Sequence, residues 1–203
     1  MEQKTPISPE NNNLQSQIKT LETILLKNPV LNTIFERVPD LQLPNWYVGA
    51  GCLCQTVWNF LSGRDLLSNI NDVDLVYFDA ADLTDETETY FSDTARKLFS
   101  DIPIRIDIKN QARVHLWYES HFGYSIQPYQ SVEEAINTWP TTATAVAVRY
   151  DDRRLFSVYA PYGLDDLFGL IVRPNKVQII EEIYLAKVNR WKACWPALRI
   201  IPW

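Results

Sequence analysis

Two aspartates, Asp72 and Asp74, head the otherwise apolar run NDVDLVYFD at residues 71–79. Side chains on a strand alternate between faces, so both carboxylates turn the same way, roughly 6–7 Å apart at the backbone. Val73, Leu75 and Tyr77 take the other face. Paired carboxylates on an apolar strand are costly unless water or a cation neutralises them. Mg²⁺ is commonly held by one or two carboxylates together with substrate phosphates and waters. By itself Asp-x-Asp fits a solvated strand entrance equally well. A third carboxylate bears on the choice. In IPIRIDI (102–108) the four isoleucines define one face, leaving Arg105, Asp107 and Lys109 on the other. If this strand lies beside 73–78, Asp107 joins Asp72 and Asp74. Three converging carboxylates could hold two metal ions about 3.5–4 Å apart, the arrangement of two-metal phosphoryl transfer. Asp107 could also accept the proton of an attacking hydroxyl. Arg105 and Lys109 either offset phosphate charge or line a solvated strand face.

Other segments must position these groups. Residues 1–13 are polar and rich in Pro and Asn, and are expected to be frayed. Leu14, Ile18, Leu21 and Leu25 then follow helical spacing. Asn28-Pro29 reads as an N-cap with Pro at the first helical position, opening a second helix. A short apolar run, Trp46-Tyr47-Val48, leads into the turn Gly49-Ala50-Gly51 and a helix over 52–62 that stops at Gly63. Helices are expected over 86–100, 110–121, 131–138 and 176–192. Ser131 and Glu134 form the signature of a capping box. Residues 146–148 and 155–158 read as a strand pair joined through Asp151-Asp152, and 163–168 as a turn or short helix. Strands and helices mix without strict alternation, which gives an α/β (α+β) class with a mixed central sheet flanked by helices. Residues 14–203 are expected to form one domain with N-terminal helices and a C-terminal extension.

The chain has 203 residues, 46% hydrophobic and 22% charged, with a formal net charge of -6. That length buries a core without disulfides or a structural metal. The acidic balance argues against a duplex DNA partner, because phosphate contacts dominate such affinity. Three cysteines, Cys52, Cys54 and Cys194, suggest reduced thiols. Cys52-x-Cys54 has no second pair to complete a four-ligand zinc site. With no secretory signal and no membrane-length apolar run, a cytoplasmic location and no membrane partner are expected. His115 and His121 are six apart on one predicted helix and do not share a face. Gln111, Arg113 and His115 follow the Asp107 strand and either line the cleft or lie on a helix surface. Asp165-Asp166 reads as a helix cap rather than a cleft residue, and Arg173 as an exposed side chain rather than a phosphate contact.

A Gly-containing turn, a helix, Asp-hydrophobic-Asp-hydrophobic on a strand and a third Asp on a later strand resemble the DNA polymerase β-like nucleotidyltransferases. The likeness is closer to a bacterial family of uncharacterised nucleotidyltransferases within that superfamily. It is carried by AGCLCQTVWNFLSG (50–63), NDVDLVYFD (71–79), IKNQARVHLWYESHFG (108–123), TATAVAVR (142–149), APYGLDDLFGLIVRPN (160–175) and RWKACWPALRI (190–200). These strings run in order from about residue 46 to the end of the sequence. The resemblance implies a nucleotidyltransferase fold, Mg²⁺ (or Mn²⁺) and an NTP co-substrate. It makes Asp72 and Asp74 the metal ligands, Asp107 the third carboxylate and Gly51 the turn residue that approaches the triphosphate. Backbone N–H groups opening a helix favour anions independently of any likeness. One position departs from the pattern: Cys52 follows the turn glycine, where a second Gly or a Ser is usual.

The resulting expectation is transfer of a nucleotidyl group from an NTP to a hydroxyl-bearing acceptor. Acidity favours a small molecule or a protein hydroxyl, with an RNA end also open. Two rivals remain: a non-catalytic nucleotide sensor or partner-binding protein on the same fold, and a metal-dependent phosphodiesterase with a water nucleophile.

Overall fold

Helix starts follow local capping chemistry. The Asn28 side chain accepts hydrogen bonds from the N–H groups of Val30 and Leu31, with Pro29 as the first helical residue. Thr84 caps the next long helix, with Asp85, Glu86 and Glu88 in its first turn and Arg96 and Lys97 in its last. Ser131 Oγ accepts from Glu134 N at 3.1 Å. In this computed structural model, residues 9–151 and 153–203 are described. Among them the order is α1 (Pro9–Lys27), α2 (Pro29–Arg37), β1 (Tyr47–Gly49), α3 (Gly51–Leu61), β2 (Asp72–Tyr77), α4 (Asp85–Leu98), β3 (Arg105–Asn110) and α5 (Val114–Phe122). Then follow α6 (Val132–Asn137), β4 (Ala147–Tyr150), β5 (Phe156–Tyr159), α7 (Asp165–Phe168), β6 (Ile171–Val172), α8 (Glu181–Cys194) and β7 (Arg199–Ile200).

The central sheet has the order β3-β2-β1-β4-β5. Only β2 and β3 run parallel, joined by the crossover through α4; the remaining neighbours are antiparallel. The mixed sheet flanked by helices agrees with the α/β (α+β) reading. One face carries Val48, Val73, Leu75, Ile108 and Val148 against Leu25, Ile34, Leu53 and Val57 of the first three helices. The other face carries Tyr47, Val76 and Ala147 against Val132 and Ile136 of α6. Trp58 sits edge-on to both Trp191 and Trp195, whose Nε1 donates to Asn59 Oδ1 at 2.8 Å. The C-terminal tryptophans thus serve packing.

Several boundaries differ from the periodicity. Helix α1 begins at Pro9, ahead of Leu14, and the first eight residues of the segment read as frayed lie outside the described residues. Strand β3 starts at Arg105 rather than 102, because Pro103 has no N–H to give a ladder, although Ile102 and Ile104 still pack on the core. Helix α8 starts at Glu181 rather than 176: Asn175 is tied to the Asn137 and Trp139 carbonyls and holds the preceding chain as a turn. The pair β6–β7 is parallel and two residues per strand, too short for any periodic signal. No helix among the described residues is long and apolar enough to cross a membrane.

Candidate active site

Register brings the acidic residues together. In the parallel β2–β3 pair, Asp74 stands opposite Asp107 and Asp72 opposite Arg105. On the other side of β2, Asp74 stands opposite Gly49, the last residue of β1. Residues paired in register share a face, so Asp72, Asp74, Arg105, Asp107 and Lys109 all turn away from the isoleucine and valine core. The strands predicted to be neighbours are neighbours.

The chain leaves β1 at Gly49 and turns directly into α3. Gly49 is required by space: a Cβ there would lie 2.4 Å from the Trp139 ring. Ala50 adopts φ 59, ψ -133, a conformation suited to glycine, and gives α3 no side-chain cap. The orphan N–H groups of the α3 N-terminus, beginning at Gly51, therefore open beside Asp74, where they favour an anion. Holding a non-glycine residue in such a conformation costs about 1–3 kcal/mol and concentrates at functional turns. Cys52 and Cys54 lie behind this turn, and their thiols donate to the Gly49 and Ala143 carbonyls at 3.2 and 2.9 Å. Burial raises both thiol pKa values, with Asp74 adding to the shift at Cys52.

Electrostatics mark Asp74 as the strained member. Burial, then the charges of Asp72 and Asp107, raise its pKa from 3.8 to about 7, while Lys187 and Arg105 pull the other way. Asp72 and Asp107 are better solvated and share one cation. Arg105 Nη2 lies 3.0 Å from Asp72 Oδ2 and 4.0 Å from Asp107 Oδ2. No group of three or more His, Cys, Asp or Glu side chains among the described residues stands close enough to hold a metal. The donor chemistry nevertheless fits a hard divalent cation: all donors are carboxylate oxygens, and burial, then the neighbouring charges of Asp72 and Asp107, disfavour the ionised form of Asp74, a cost that a cation would offset. Asp72 and Asp74 could hold such an ion with substrate phosphates, and Asp107 could join once Arg105 moves.

The two cations predicted to meet phosphate are both engaged. Arg105 serves the carboxylates as above. Lys109 Nζ lies 3.6 Å from Glu88 Oε1, which Arg113 also holds at 3.0 Å. Glu88 Oε2 accepts from Asn110 N at 2.8 Å, so this buried carboxylate fixes the end of β3. Of the residues following β3, Gln111 lines the cavity described next, whereas Arg113 pairs with Glu88 and Asp85 and His115 is not among the lining residues. Asp166 holds the exposed Arg173 at 3.0 Å and Thr142 at 2.6 Å. Both Asp165 and Asp166 lie in the first turn of α7, with Leu164 at the capping position itself.

A cavity of about 300 Å³ adjoins Asp74 and Ala50 and extends over Val76 and Lys109 towards α5. Its lining also includes the aromatic side chains Trp117, Tyr118, Phe122 and Tyr129, and Ile183 and Lys187 of α8. Lys187 escaped the reading of the sequence. The signal was present: it lies four residues after Ile183, on the apolar stripe of the helix, where a cation needs a reason.

Two solved structures share this fold. One, described as revealing a CCA-adding enzyme head domain, gives a TM-score of 0.73 at 24% identity, over 93% of this chain and 96% of that one. A CCA-adding enzyme in an apo form gives 0.51 at 15% identity, over 94% of this chain but 44% of that one. This chain therefore spans less than half of that enzyme. No curated protein sequence matches. The model of a nucleotidyltransferase family matches residues 36–200, and the chain belongs to that family.

Proposed function

We propose that the protein transfers a nucleotidyl group from an NTP to a hydroxyl-bearing acceptor, with Mg²⁺ or Mn²⁺. The observation that carries this reading is the register of Asp74 opposite both Asp107 and Gly49, which sets two carboxylates beside the uncapped start of α3. Asp72 and Asp74 are the metal ligands in this reading. The ion, when bound, neutralises phosphate charge and polarises the phosphorus under attack. The N–H groups from Gly51 onward hold the triphosphate. Asp107, partly exposed at the strand edge, accepts the proton of the acceptor hydroxyl. Arg105, which pairs with Asp72 and Asp107, could meet phosphate if a cation took its place there. The net charge of -6 favours a small molecule or a protein hydroxyl as acceptor. The fold shared with CCA-adding enzymes makes an RNA end a separate arm of the test.

One observation favours a second reading, a nucleotide sensor on the same fold: Arg105 already neutralises Asp72 and Asp107. A screen of the four NTPs with Mg²⁺ or Mn²⁺ separates the two. Pyrophosphate release together with a nucleotidyl mass increase, on an added alcohol, an RNA end or the protein itself, supports the enzyme. NTP binding without release for any acceptor class supports the sensor and refutes transfer.

A further inference from the structure

A groove of about 560 Å³ runs between α4 and the outer edge of β3, the last strand of the central sheet. Its lining includes Phe99 of α4, Ile104 and Ile106, and also Arg105 and Asp107 from the opposite face of the strand. The N–H and C=O of one strand residue point to the same side, and that side alternates along the strand. The Asn110 N–H points away from β2, because Glu88 Oε2 accepts from it at 2.8 Å. By alternation Ile106 also turns its N–H and C=O outward. No turn, loop or cap among the described residues takes either group. Glu88 closes the far end of this edge, and Ile108 is buried. The open stretch is therefore 104–107, and it ends at the carboxylate assigned above to take the proton of the acceptor.

We propose that this groove seats the acceptor as an extended polypeptide segment, added to β3 as a further strand, with a Ser or Thr hydroxyl opposite Asp107. The inference rests on the NTP-dependent transfer read above and adds the class of the acceptor. An open strand edge bonds a peptide backbone, and the side chains opposite its own residues set the preference. Cross-strand partners share a face with Cβ atoms about 4.5–5.5 Å apart, which brings such a hydroxyl within reach of Asp107. On that face Arg105 and Lys109 flank Asp107, and each keeps N–H donors beside the carboxylate that it already holds. Acid, hydroxyl, acid is the complementary order. The residues between them face the side of Ile106 and Phe99 and are apolar. In the reaction the hydroxyl oxygen attacks the α-phosphorus of the NTP and passes its proton to Asp107. The bond from that phosphorus to the bridging oxygen breaks, pyrophosphate leaves, and a nucleoside monophosphate stays ester-linked to the peptide. An RNA end or a small alcohol would leave the edge groups of Ile106 unpaired.

Capped, fluorescently labelled peptides test this on the full chain, with binding read by anisotropy and transfer by mass. The parent probe is Val-Asp-Val-Thr-Val-Asp-Val. Exchanging both Asp for Lys is expected to weaken binding by about fivefold or more. N-methylation of every second residue, made in both registers, should weaken binding about tenfold in one register and little in the other. On the protein, Ile106→Pro removes an outward N–H without touching the ladder to β2 and should weaken the parent peptide about fivefold. Arg105→Gln is a second variant with less risk to the fold and should narrow the preference for Asp over Lys; melting curves confirm that each is folded. With NTP and Mg²⁺, the parent peptide should gain a nucleotidyl mass and its Thr→Val form should not. The inference is overturned if no peptide binds at about 1 mM, if neither N-methylated register matters, or if both protein variants bind as wild type does. Transfer to an RNA end or a small alcohol but not to the bound peptide overturns the acceptor assignment. If the peptide binds in this pattern and no acceptor class is ever modified, the transfer reading fails and the acceptor role with it, while the docking groove stands.

Discussion

Replacing Asp74 by Asn tests the electrostatic heart of the site. The substitution keeps the shape and removes a charge that sits among two like charges. The Asp74 carboxylate accepts no hydrogen bond from the described residues, so an amide there breaks none. Its pKa is raised from 3.8 to about 7. Three pKa units correspond to about 4 kcal/mol. Asp74 keeps some accessible surface, so solvent screening reduces this to about 2 kcal/mol. The sign follows from linkage. Below pH 4 the carboxyl is protonated in both states and the group is harmless. Between about pH 4 and 7 the folded protein holds a proton that the unfolded chain has lost, so stability falls as pH rises and levels off above about 7. Asp74→Asn escapes this loss. For a chain of this size, 2 kcal/mol amounts to roughly 4–8 °C in Tm. Without ligand, the variant should therefore melt above wild type at pH 8, and the gap should shrink steadily towards pH 4. With Mg²⁺ and NTP at a hundredfold excess over Kd, wild type should gain about 2.7 kcal/mol, and the variant should lose most of that gain. Melts of both proteins at pH 4, 5, 6, 7 and 8, with and without Mg²⁺–NTP, decide the matter. A variant that melts below wild type at pH 8, or a gap independent of pH, refutes the reasoning.

Three further outcomes can be checked. Ala50→Gly relieves a conformation worth about 1–3 kcal/mol and gives back somewhat less through chain entropy, so it should raise the midpoint of urea unfolding; a lower midpoint would contradict the strain at this turn. Arg105→Gln frees Asp72 and Asp107, so Mn²⁺ should bind the nucleotide-free protein several-fold more tightly by electron paramagnetic resonance titration, and weaker binding would show that Arg105 is not competing with the ion. Gly49→Ala drives a methyl into the Trp139 ring and should cost about 1–3 kcal/mol in chemical denaturation, with a neutral result excluding the close approach.

Much of this site was legible because strands obey a period of two. The isoleucines at 102, 104, 106 and 108 already placed Asp107 opposite the core, and the valine, leucine and tyrosine of β2 did the same for Asp72 and Asp74. The capping chemistry of Asn28-Pro29 and of Ser131 was equally local and was read correctly. What escaped was set by distance in the chain. That Arg105 bridges Asp72 and Asp107 depends on the β2–β3 register, which no local pattern states. Lys109 looked free on its strand, yet Glu88 from α4 claims it. Lys187, whose charge acts on Asp74, comes from a helix more than a hundred residues later. The strain at Ala50 was hidden by its identity, since alanine carries no signal of a positive φ.

Strand β3 is an edge strand, and an edge offers unpaired N–H and C=O groups to any other chain in extended form. Its outward face alternates Arg105, Asp107 and Lys109, charges of both signs that a second copy would have to bury in order to add a strand. The residues read here as chemistry also guard the sheet against self-association. Neutralising them together would leave the open edge of the isoleucine-rich strand Ile104-Arg105-Ile106-Asp107-Ile108 without charges to oppose pairing with a second copy. Variants that strip charge from β3 are thus best compared at low protein concentration, with light scattering beside any assay, because a loss of signal there can arise from precipitation as readily as from a damaged site.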